Sequence, residues 1–286
     1  MIGTPKKTFE ILKKHGFTFK KSLGQNFLID ANILNRIVDG AGLNGKVGVI
    51  EIGPGIGSLT EALAKKAKKV ISFEIDSRLL PILSETLADY PNVEIINNDI
   101  LKVDVDKIIA EKMSDCEKIM VVANLPYYIT TPILTHLIEN TEKIDGYVVM
   151  MQKEVANRLN AKVGTKDYNS LTILLNYYTD VEYLFTVPKK VFVPAPNVES
   201  AVVKIMTKET REFETDGKFF KFVRSCFVQR RKTLLNNLIS SYGKDKKQDL
   251  QNACTDSDIE PARRSETLSL AEFYTLYNTL TNNSLI

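Results

Sequence analysis

A polar and aromatic segment, ANLPYY, follows directly on an apolar run in the middle of the chain. The run at 119–122 is typical of a buried strand, and a strand that only has to turn needs no such combination of side chains. The segment suits a flat nucleobase that carries an amino group. The side-chain oxygen of Asn124 and a backbone carbonyl, for which Leu125 is the candidate, can accept the two amino protons. Tyr127 can stack on the ring, a contact worth about 1–3 kcal/mol per base.

These contacts would raise the reactivity of the amino group. Its lone pair is normally delocalised into the ring, but hydrogen bonds from both protons draw the nitrogen towards a pyramidal geometry, from which it can attack an electrophilic methyl group. Pro126 lacks an N–H and has a fixed φ, so it can hold the neighbouring carbonyl in place. Since the methylated nitrogen loses its proton readily, orientation and electrostatics suffice without a strong base. From these residues alone, an ordinary proline turn after an apolar strand remains the alternative.

A second candidate site is a glycine loop earlier in the chain. The segment VIEIGPGIGSLTEAL places Gly53, Gly55 and Gly57 between a strand and a helix, where glycine lets a ligand approach the backbone closely. The spacing departs from the dehydrogenase pattern G-x-G-x-x-G, because Ser58 stands at the sixth position. The loop has no lysine or arginine and no G-K-[ST] follows it, which disfavours a nucleoside triphosphate. A tight strand–helix turn without a ligand is the other interpretation.

Two acidic residues follow the next two predicted strands. Glu74 lies 17 residues beyond Gly57, where a carboxylate can accept both hydroxyl protons of a ribose. Asp99, in the segment NNDI, can accept a hydrogen bond from an adenine amino group. Either acid alone is more often an ordinary loop residue. Together with the glycine loop, however, they favour an adenosine-containing cofactor.

The elements that must position these residues alternate along the chain. The sequence predicts strands at 47–52, 70–75, 93–96, 118–123 and 147–151, and helices at 32–41, 58–67, 77–88, 131–139 and 169–178. Strands that are apolar throughout and alternate with helices indicate a parallel sheet covered on both faces, with ligands outside the carboxyl ends of the strands. The predicted fold class is therefore α/β, a mostly parallel Rossmann-like sheet with helices on both faces.

The pattern changes near residue 210. Two β-rich runs at 181–187 and 198–206 are followed by a polar stretch at 207–217, and then by predicted helices at 218–228, 233–240 and 268–280. We therefore expect two domains, a cofactor-binding catalytic domain at 1–210 and a smaller all-α domain at 211–286.

The cysteines and the hydropathy pattern restrict the class of protein. The three cysteines are odd in number and widely spaced, which indicates a reducing compartment, and with only two histidines a zinc site is not expected. No segment approaches the about 18 consecutive apolar residues of a membrane helix, and the N-terminal lysines precede no apolar stretch of a secretion signal. The sequence predicts a cytoplasmic protein that binds neither a metal nor a membrane.

Basic residues are concentrated in two segments, although the net charge is only +3. Residues 1–30 carry six lysines and two acids, and residues 218–232 carry six basic residues and no acid. Two such segments favour a polyanionic partner, while two solvated faces are the other interpretation.

The motifs together resemble a known family. NLPYYITTPIL resembles the N/D-x-P-Y/F motif of amino-group methyltransferases that use S-adenosylmethionine, and its NLPY form followed by T-P is similar to the ribosomal RNA adenine dimethyltransferases, the KsgA/RsmA family. Other segments match this family in order, namely KKSLGQNFLID, EIGPGIGSLT, MQKEVANRL, VFVPAPNVESAVVKI, RRKTLLNNL and ARRSETLSLAEF. The resemblance extends over nearly the whole chain.

The resemblance implies roles for particular residues. The S-adenosylmethionine site would comprise Asn26 and Leu28 at the methionine end, Gly53 as the backbone cradle, Glu74 at the ribose, Asp99 at the adenine, and Asn124 between cofactor and target. Phe192 would stack on the target adenine opposite Tyr127, so that Asn124, Tyr127 and Phe192 form the catalytic set. From the residues alone, core packing is an equally good interpretation of Phe192. Tyr128 receives no role.

The resemblance also implies a substrate and partners. The family transfers two methyl groups to each of two adjacent adenosines in a hairpin loop near the 3′ end of small-subunit (16S) rRNA, during small-subunit biogenesis. An unpaired loop suits this chemistry because its bases can be splayed out at little cost. We expect a monomer that acts on this rRNA in a pre-small-subunit ribosomal particle, with the helical domain binding RNA.

Three other functions are less well supported. The macrolide-resistance branch methylates a large-subunit adenine, but FVPAPNVES, NLPY rather than NIPY, and the C-terminal motifs favour the small-subunit branch. A non-catalytic RNA-binding assembly factor on the same fold is opposed by the intact site residues. A nicotinamide-dependent dehydrogenase is opposed by the loop spacing and leaves NLPY unexplained.

Overall fold

The structure is a computed structural model that describes residues 1–286 except for the side chain of Lys21. The strands in chain order are β1 (Phe27–Leu28), β2 (Val47–Ile52), β3 (Lys69–Phe73), β4 (Val93–Ile96), β5 (Lys118–Asn124), β6 (Gly146–Gln152), β7 (Thr179–Val187), β8 (Phe192–Val193) and β9 (Ser200–Thr207). The helices are α1 (Pro5–Lys14), α2 (Ala31–Gly40), α3 (Ser58–Ala64), α4 (Leu80–Thr86), α5 (Val105–Lys112), α6 (Thr130–Asn140), α7 (Lys153–Leu159), α8 (Ser170–Tyr178), α9 (Phe219–Cys226), α10 (Leu234–Tyr242), α11 (Lys247–Asp256) and α12 (Leu270–Asn282).

The central element is a mostly parallel sheet. Within the described residues it has seven strands in the order β4-β3-β2-β5-β6-β9-β7. The pairs from β4 to β6 are parallel, and β9 runs antiparallel to β6. Every residue of β2 is buried, as expected for a parallel strand covered on both faces. The predicted α/β Rossmann-like fold class is confirmed.

The strand order reverses between β2 and β5. From β2 the chain moves outwards through β3 to β4, and it then returns to place β5 on the opposite side of β2. Ligands of such sheets bind at this reversal, beyond the carboxyl ends of the strands. The glycine loop follows β2 and the ANLPYY segment follows β5, so the topology brings the two candidate sites together.

The N-terminal residues pack beside this reversal. Ile11 and Leu12 of α1 lie in one apolar cluster with Phe27 and with Ile56 of the glycine loop. Further along, β1 pairs antiparallel with β8 to form a separate two-stranded sheet. The sequence suggested α1 only as part of a basic stretch, but its apolar residues pack with the loop that was expected to hold a cofactor.

Several elements differ from the sequence prediction. The helix expected at 77–88 begins as a 3₁₀ turn at Ser77–Leu79, and α4 starts afresh where Pro81 occupies its first turn. The strand expected at 70–75 ends at Phe73, which leaves Glu74 just beyond it. Helices α1, α5 and α11 were not predicted, and each buries only two or three residues.

The chain divides into two compact units. One comprises residues 1–156 and 180–207, and the other comprises residues 157–179 and 208–286. Of the three points at which the chain passes from one unit to the other, the last, between residues 207 and 208, lies close to the boundary expected near 210. Residues 157–179, in contrast, group with the C-terminal residues, because α8 packs against α9 and α12.

The second unit is a helical bundle. Helix α9 contacts α8, α10 and α12, and α11 contacts α10 and α12. Its core contains Phe219 and Phe222 of α9 and Phe273 of α12, all of which are almost fully buried. Among the described residues of the whole chain, no helix is both long enough and apolar enough to cross a membrane.

Candidate active site

A cavity lies beyond the carboxyl ends of β2, β3 and β5 in the first unit. Its empty volume is about 1120 Å³, including the part that opens to solvent. The sequence-predicted site residues that line it are Asn26, Leu28, Gly53, Glu74, Asp99, Asn124 and Tyr127. Its wall combines apolar side chains with a few polar groups, as the sites of small ligands do.

The glycine turn forms the floor of the cavity. Gly53 and Gly55 have φ values of +70° and +60°, which other residues rarely adopt. A Cβ atom at Gly55 would lie 3.0 Å from the ring of Phe27, and one at Gly53 would lie 3.9 Å from Pro126. The turn is therefore held close to β1 on one side and to the ANLPYY segment on the other, with its backbone open to the cavity.

Glu74 is almost completely buried just beyond β3, with 5% of its surface exposed. Burial is the main cause that raises the pKa of its carboxyl to about 7, and the nearby Asp76 carboxylate raises it further. The main-chain N–H of Asp76 donates to Glu74 Oε1 at 2.7 Å. A carboxyl held in this way can accept hydrogen bonds from a ligand's hydroxyl groups once it is ionised.

Asp99 lies at the end of the neighbouring strand, β4. Its carboxylate accepts a hydrogen bond from the N–H of Leu101 at 3.1 Å and so begins the 3₁₀ turn Ile100–Lys102. Asn97 donates its side-chain N–H to the main-chain oxygen of Glu74 at 2.6 Å, which ties the ends of β3 and β4 together. The two acids therefore face one cavity from adjacent strands.

Asn26 reaches the cavity from the segment before β1. The side-chain N–H of Asn26 donates to the main-chain carbonyl of Gly24 at 3.0 Å. The main-chain carbonyl of Asn26 accepts the side-chain N–H of Asn124 at 3.1 Å. Leu28, two residues further on, is buried and lines the same cavity. Residues that sequence reasoning could only place by resemblance thus contact the end of β5 directly.

Asn124 and Leu125 present two free acceptors. A main-chain oxygen can only accept, so the bond to Asn26 commits the nitrogen of the Asn124 carboxamide and leaves its Oδ1 available. The carbonyl of Pro126 is occupied by Ile129 and Thr130, whereas that of Leu125 accepts no hydrogen bond from any residue the structure describes. An amino group with two protons can be bound at this position.

Tyr127 lies beside these acceptors, and a hydrogen bond to its hydroxyl holds the ring in place. Its hydroxyl is hydrogen-bonded to the hydroxyl of Ser200, at the start of β9. Burial raises the pKa of the phenol, so it stays neutral at physiological pH. The ring lines the cavity and is partly buried, as a stacking platform for a flat base requires.

Phe192 does not reach the cavity. It pairs with Leu28 across the β1–β8 ladder, is only 3% exposed, and belongs to the main apolar core cluster. The sequence interpretation placed it opposite Tyr127 in a two-sided clamp. In this structure it packs in the core, because the strand pairing turns its side chain inwards, and Ser200 of the same motif makes the contact with Tyr127.

Sequence reasoning missed further residues of the cavity wall. Glu51 is 1% exposed and accepts hydrogen bonds from Thr60 and Ser72, both at 2.7 Å, and burial raises its pKa to about 7. An acid within an otherwise apolar strand was the available signal. Tyr128 lies at the mouth of the cavity with 56% of its surface exposed, and its ring packs against Gly24.

The buried hydroxyl of Ser58 indicates that the cavity holds a polar ligand. It is the one buried side-chain polar atom of the described residues that has no hydrogen-bond partner, and Ser58 lines the cavity. A buried hydroxyl without a partner is costly unless a ligand or water satisfies it. Together with the open glycine turn and the carboxyl groups of Glu74 and Asp99, the Ser58 hydroxyl fits a ligand that combines a flat base with polar groups. The described residues contain no cluster of three or more histidine, cysteine or acidic side chains suited to a metal ion.

Comparison with known proteins agrees with this geometry. Residues 16–282 match the family model for ribosomal RNA adenine dimethylase. This match spans most of the chain. The chain belongs to the ribosomal RNA adenine dimethylase family. As a member of this family it is a methyltransferase, and the family resemblance seen in the sequence motifs is confirmed.

Individual members of the family are closely similar over the full length. Ribosomal RNA small subunit methyltransferase A of Anoxybacillus flavithermus is 58% identical over 279 residues, covering 96% of this chain and 95% of that protein. The protein of the same name from Geobacillus thermodenitrificans is 57% identical over 284 residues, covering 98% and 97%.

Two solved transferase structures share the fold. A dimethyladenosine transferase from Plasmodium falciparum has a TM-score of 0.72 and 28% identity, covering 90% of this chain and 98% of that one. The 23S rRNA methyltransferase ErmE has a TM-score of 0.61 and 25% identity, covering 89% and 99%.

Proposed function

We propose that this protein transfers methyl groups from S-adenosylmethionine to the N6 amino groups of two adjacent adenosines near the 3′ end of small-subunit rRNA, giving N6-dimethyladenosine. The target adenosines lie in a hairpin loop, whose unpaired bases can enter a cavity at little unstacking cost. The protein acts in the cytoplasm, as a monomer, on a pre-small-subunit ribosomal particle.

One observation carries the proposal. The free acceptors Asn124 Oδ1 and Leu125 O lie next to the ring of Tyr127, at the strand end beside the glycine turn. Two acceptors match the two protons of an adenine amino group, and the ring matches the base. The N6 amino group is the one exocyclic group of adenine, and it is the group that donates hydrogen bonds.

The residues that would hold S-adenosylmethionine are those of the cavity wall. Glu74 would bind the ribose hydroxyls and Asp99 the adenine amino group, while the turn at Gly53 allows close approach to the backbone. Asn26 and Leu28 would line the methionine end. When bound, this cofactor supplies an electrophilic methyl group.

The protein's own residues then orient the target. Asn124 Oδ1 and the Leu125 carbonyl accept the amino protons and draw the nitrogen lone pair out of conjugation, towards the donor. Tyr127 stacks on the base and fixes its plane. No side chain is required as a base, because the methylated nitrogen is acidic and its proton passes to water. Catalysis is therefore orientation and electrostatics in a partly closed site.

The small-subunit target is favoured over the large-subunit alternative by the relatives. Proteins named for the small subunit match at 57–58% identity over nearly the full chain, whereas ErmE, named for 23S rRNA, matches at 25%. The basic residues of the helical unit, Arg230, Arg231 and Lys232, are exposed and would bind phosphates around the target.

Separate incubations of radiolabelled S-adenosylmethionine with small subunits that lack the modification and with large subunits test the proposal. We expect label in N6-dimethyladenosine at two adjacent positions near the 3′ end, and none with Asn124→Ala, which should still bind both RNA and cofactor. Label confined to large subunits, or a wild-type rate with Asn124→Ala, would contradict the proposed substrate or the proposed amine activation respectively.

A further inference from the structure

Asp76 is a buried carboxylate to which neither the motifs nor the proposed chemistry assign a role. It lies two residues beyond Glu74 and is 5% exposed. Arg78 binds it with two donors, Nε to Oδ1 at 2.8 Å and a terminal nitrogen to Oδ2 at 2.6 Å. The same Oδ2 accepts the side-chain N–H of Gln25 at 2.8 Å. Since Arg78 is next to it, the carboxylate stays ionised and keeps these bonds throughout the neutral range, with its pKa lowered to about 2.

Gln25 connects this carboxylate to the segment before β1. Its side-chain oxygen accepts the main-chain N–H of Lys20 at 2.9 Å, while its nitrogen donates to Asp76. Both ends of the Gln25 carboxamide are therefore used, and the residue has one defined orientation. The next residue in the chain is Asn26, whose carbonyl accepts the side-chain N–H of Asn124 at 3.1 Å.

The position of the Asn26 carbonyl decides which way the Asn124 carboxamide faces. A carboxamide rotated by half a turn would present its N–H groups to the substrate amino group, whose protons need an acceptor. The bond to Asn26 prevents that rotation, because a carbonyl oxygen cannot donate. Any displacement of Asn26 would release the carboxamide and lose the acceptor.

We propose that Asp76 and Gln25 are positioning residues for methyl transfer. The Asp76 carboxylate holds Gln25, Gln25 holds the loop that carries Asn26, and the Asn26 carbonyl orients the carboxamide of Asn124. This inference rests on the proposed function, since it assigns the purpose of the orientation to the methylation of an amino group.

The contacts that lead from Asp76 through Gln25 and Asn26 to Asn124 form a relay. Two further contacts of the same residues connect this relay to the cofactor site and to the N-terminal segment. The main-chain N–H of Asp76 donates to Glu74 Oε1 at 2.7 Å, so one residue contacts both the ribose-side carboxyl and the loop. Arg78 also donates to the carbonyl of Thr18 at 3.1 Å and lies over the ring of Phe17 at 5.1 Å. A shift of the N-terminal segment would therefore reach Asn124 through these hydrogen bonds and the peptide bond between Gln25 and Asn26.

The test uses full-length protein with substitutions of Gln25, which is only partly buried. Gln25→Met keeps the length of the side chain and removes the donor to Asp76. Gln25→Glu places a second carboxylate next to the carboxylate of Asp76. The new group is within reach of Arg78, and Glu74 contacts the main chain of Asp76. Gln251→Met, on the exposed face of α11, is the matched control.

We expect single-turnover methyl transfer to fall about 10-fold in Gln25→Met and about 100-fold in Gln25→Glu, because small misplacements of catalytic groups have effects of this size. In Gln25→Met, which adds no charge, the dissociation constants for S-adenosylmethionine and RNA should change less than about 3-fold. In Gln25→Glu the added carboxylate lies in the cavity wall near Glu74, so cofactor binding should also weaken. The control should retain the wild-type rate. Wild-type transfer by Gln25→Met, or a loss confined to either dissociation constant, would overturn the relay.

A second readout does not depend on activity. The side-chain amide protons of Asn124 should exchange with solvent more slowly in the wild-type protein than in Gln25→Met, as measured by nitrogen-edited NMR without ligands. Equal exchange rates would overturn the inference, even if the rate of transfer fell. An inactive wild-type protein would contradict the proposed function instead, while the exchange comparison would still decide whether the relay holds Asn124.

Discussion

The hydroxyl of Tyr127 is hydrogen-bonded to the hydroxyl of Ser200, although the two residues are 73 positions apart in the chain. Ser200 is fully buried at the start of β9, which lies beside β6 and one strand removed from β5. The bond joins the NLPY and FVPAPNVES motifs at the edge of the cavity. It sets the plane of the Tyr127 ring before any base arrives.

This bond predicts a graded response at Tyr127. Tyr127→Phe keeps the ring and loses only the hydroxyl contact, so kcat/KM should fall less than about 10-fold, and Ser200→Ala should behave alike. Tyr127→Ala removes the stacking surface, which is worth about 1–3 kcal/mol, so kcat/KM should fall about 10- to 100-fold. Steady-state kinetics with small subunits measure these values. An equal loss in Tyr127→Phe and Tyr127→Ala would show that the hydroxyl, and not the ring, is what matters.

The raised pKa of Glu74 predicts that cofactor binding depends on pH. The ionised carboxyl accepts hydroxyl protons more strongly than the neutral acid does, and burial raises its pKa to about 7. Binding of S-adenosylmethionine should therefore tighten as pH rises from 6 to 8, about 10-fold if both hydrogen bonds require the charge. Calorimetric titration of the wild-type protein and Glu74→Gln measures the effect.

The ionisation of S-adenosylmethionine itself affects binding to the wild-type protein and to Glu74→Gln equally. It therefore cancels when the pH profiles of the two proteins are compared. Glu74→Gln should bind more weakly and without the additional pH dependence, whereas Glu51→Gln should keep it. If the wild-type protein and Glu74→Gln show parallel pH profiles, Glu74 does not bind the ribose through its charge.

Glu51 predicts a pH dependence of stability. Its pKa rises from 4.5 to about 7 because it is buried, so the folded state holds the proton more tightly than the unfolded state does. The stability this contributes is fully present below pH 4.5 and is lost as the pH rises through about 7. At about 1.4 kcal/mol per pKa unit, the loss is on the order of 3 kcal/mol.

Denaturant unfolding at pH 5 and pH 8 checks this prediction. The wild-type protein should be less stable at pH 8, and Glu51→Gln should remove about half of the difference while it keeps the acceptor for Thr60 and Ser72, because Glu74, with the same raised pKa, contributes the rest. Glu209→Gln, at an exposed position, is the control and should retain the wild-type dependence. The same slope in Glu51→Gln as in the wild-type protein would contradict a protonated Glu51.

The basic residues of the helical unit predict a salt dependence of RNA affinity. Replacement of Arg230, Arg231 and Lys232 by glutamine should reduce the slope of log affinity against log salt by about 2–3, since each phosphate contact contributes about 0.7–0.9. Filter binding at several salt concentrations measures the slope, and the affinity for S-adenosylmethionine should stay unchanged.

A control with the same change of charge separates specific contacts from net charge. Lys107, Lys118 and Lys143 are exposed lysines of the first unit that lie outside both basic segments. Their replacement by glutamine should leave the slope close to that of the wild-type protein. Equal slopes in the two triple variants would mean that residues 230–232 do not contact RNA.

The sequence alone determined the class of fold and most of the cavity. Runs such as IMVVA at 119–123 are apolar throughout, and this pattern by itself indicates a parallel strand covered on both sides. Gly53, Glu74, Asp99 and Asn124 were identified because each follows a strand, and the carboxyl ends of parallel strands meet at one edge. These are local signals, readable within a few residues.

The tertiary structure alone decided the contacts between distant segments. Nothing near Gln25 indicates that it binds Asp76, and nothing near Asn26 indicates that its carbonyl meets Asn124. Phe192 is a further case in which the sequence was not sufficient. Its motif indicated that this segment lies near Tyr127, but in the β1–β8 pairing the Phe192 ring packs in the core, and Ser200 contacts Tyr127 instead. Such contacts depend on which strands pair and in which register, and that choice is made by the packing of the whole first unit and not by the residues on either side.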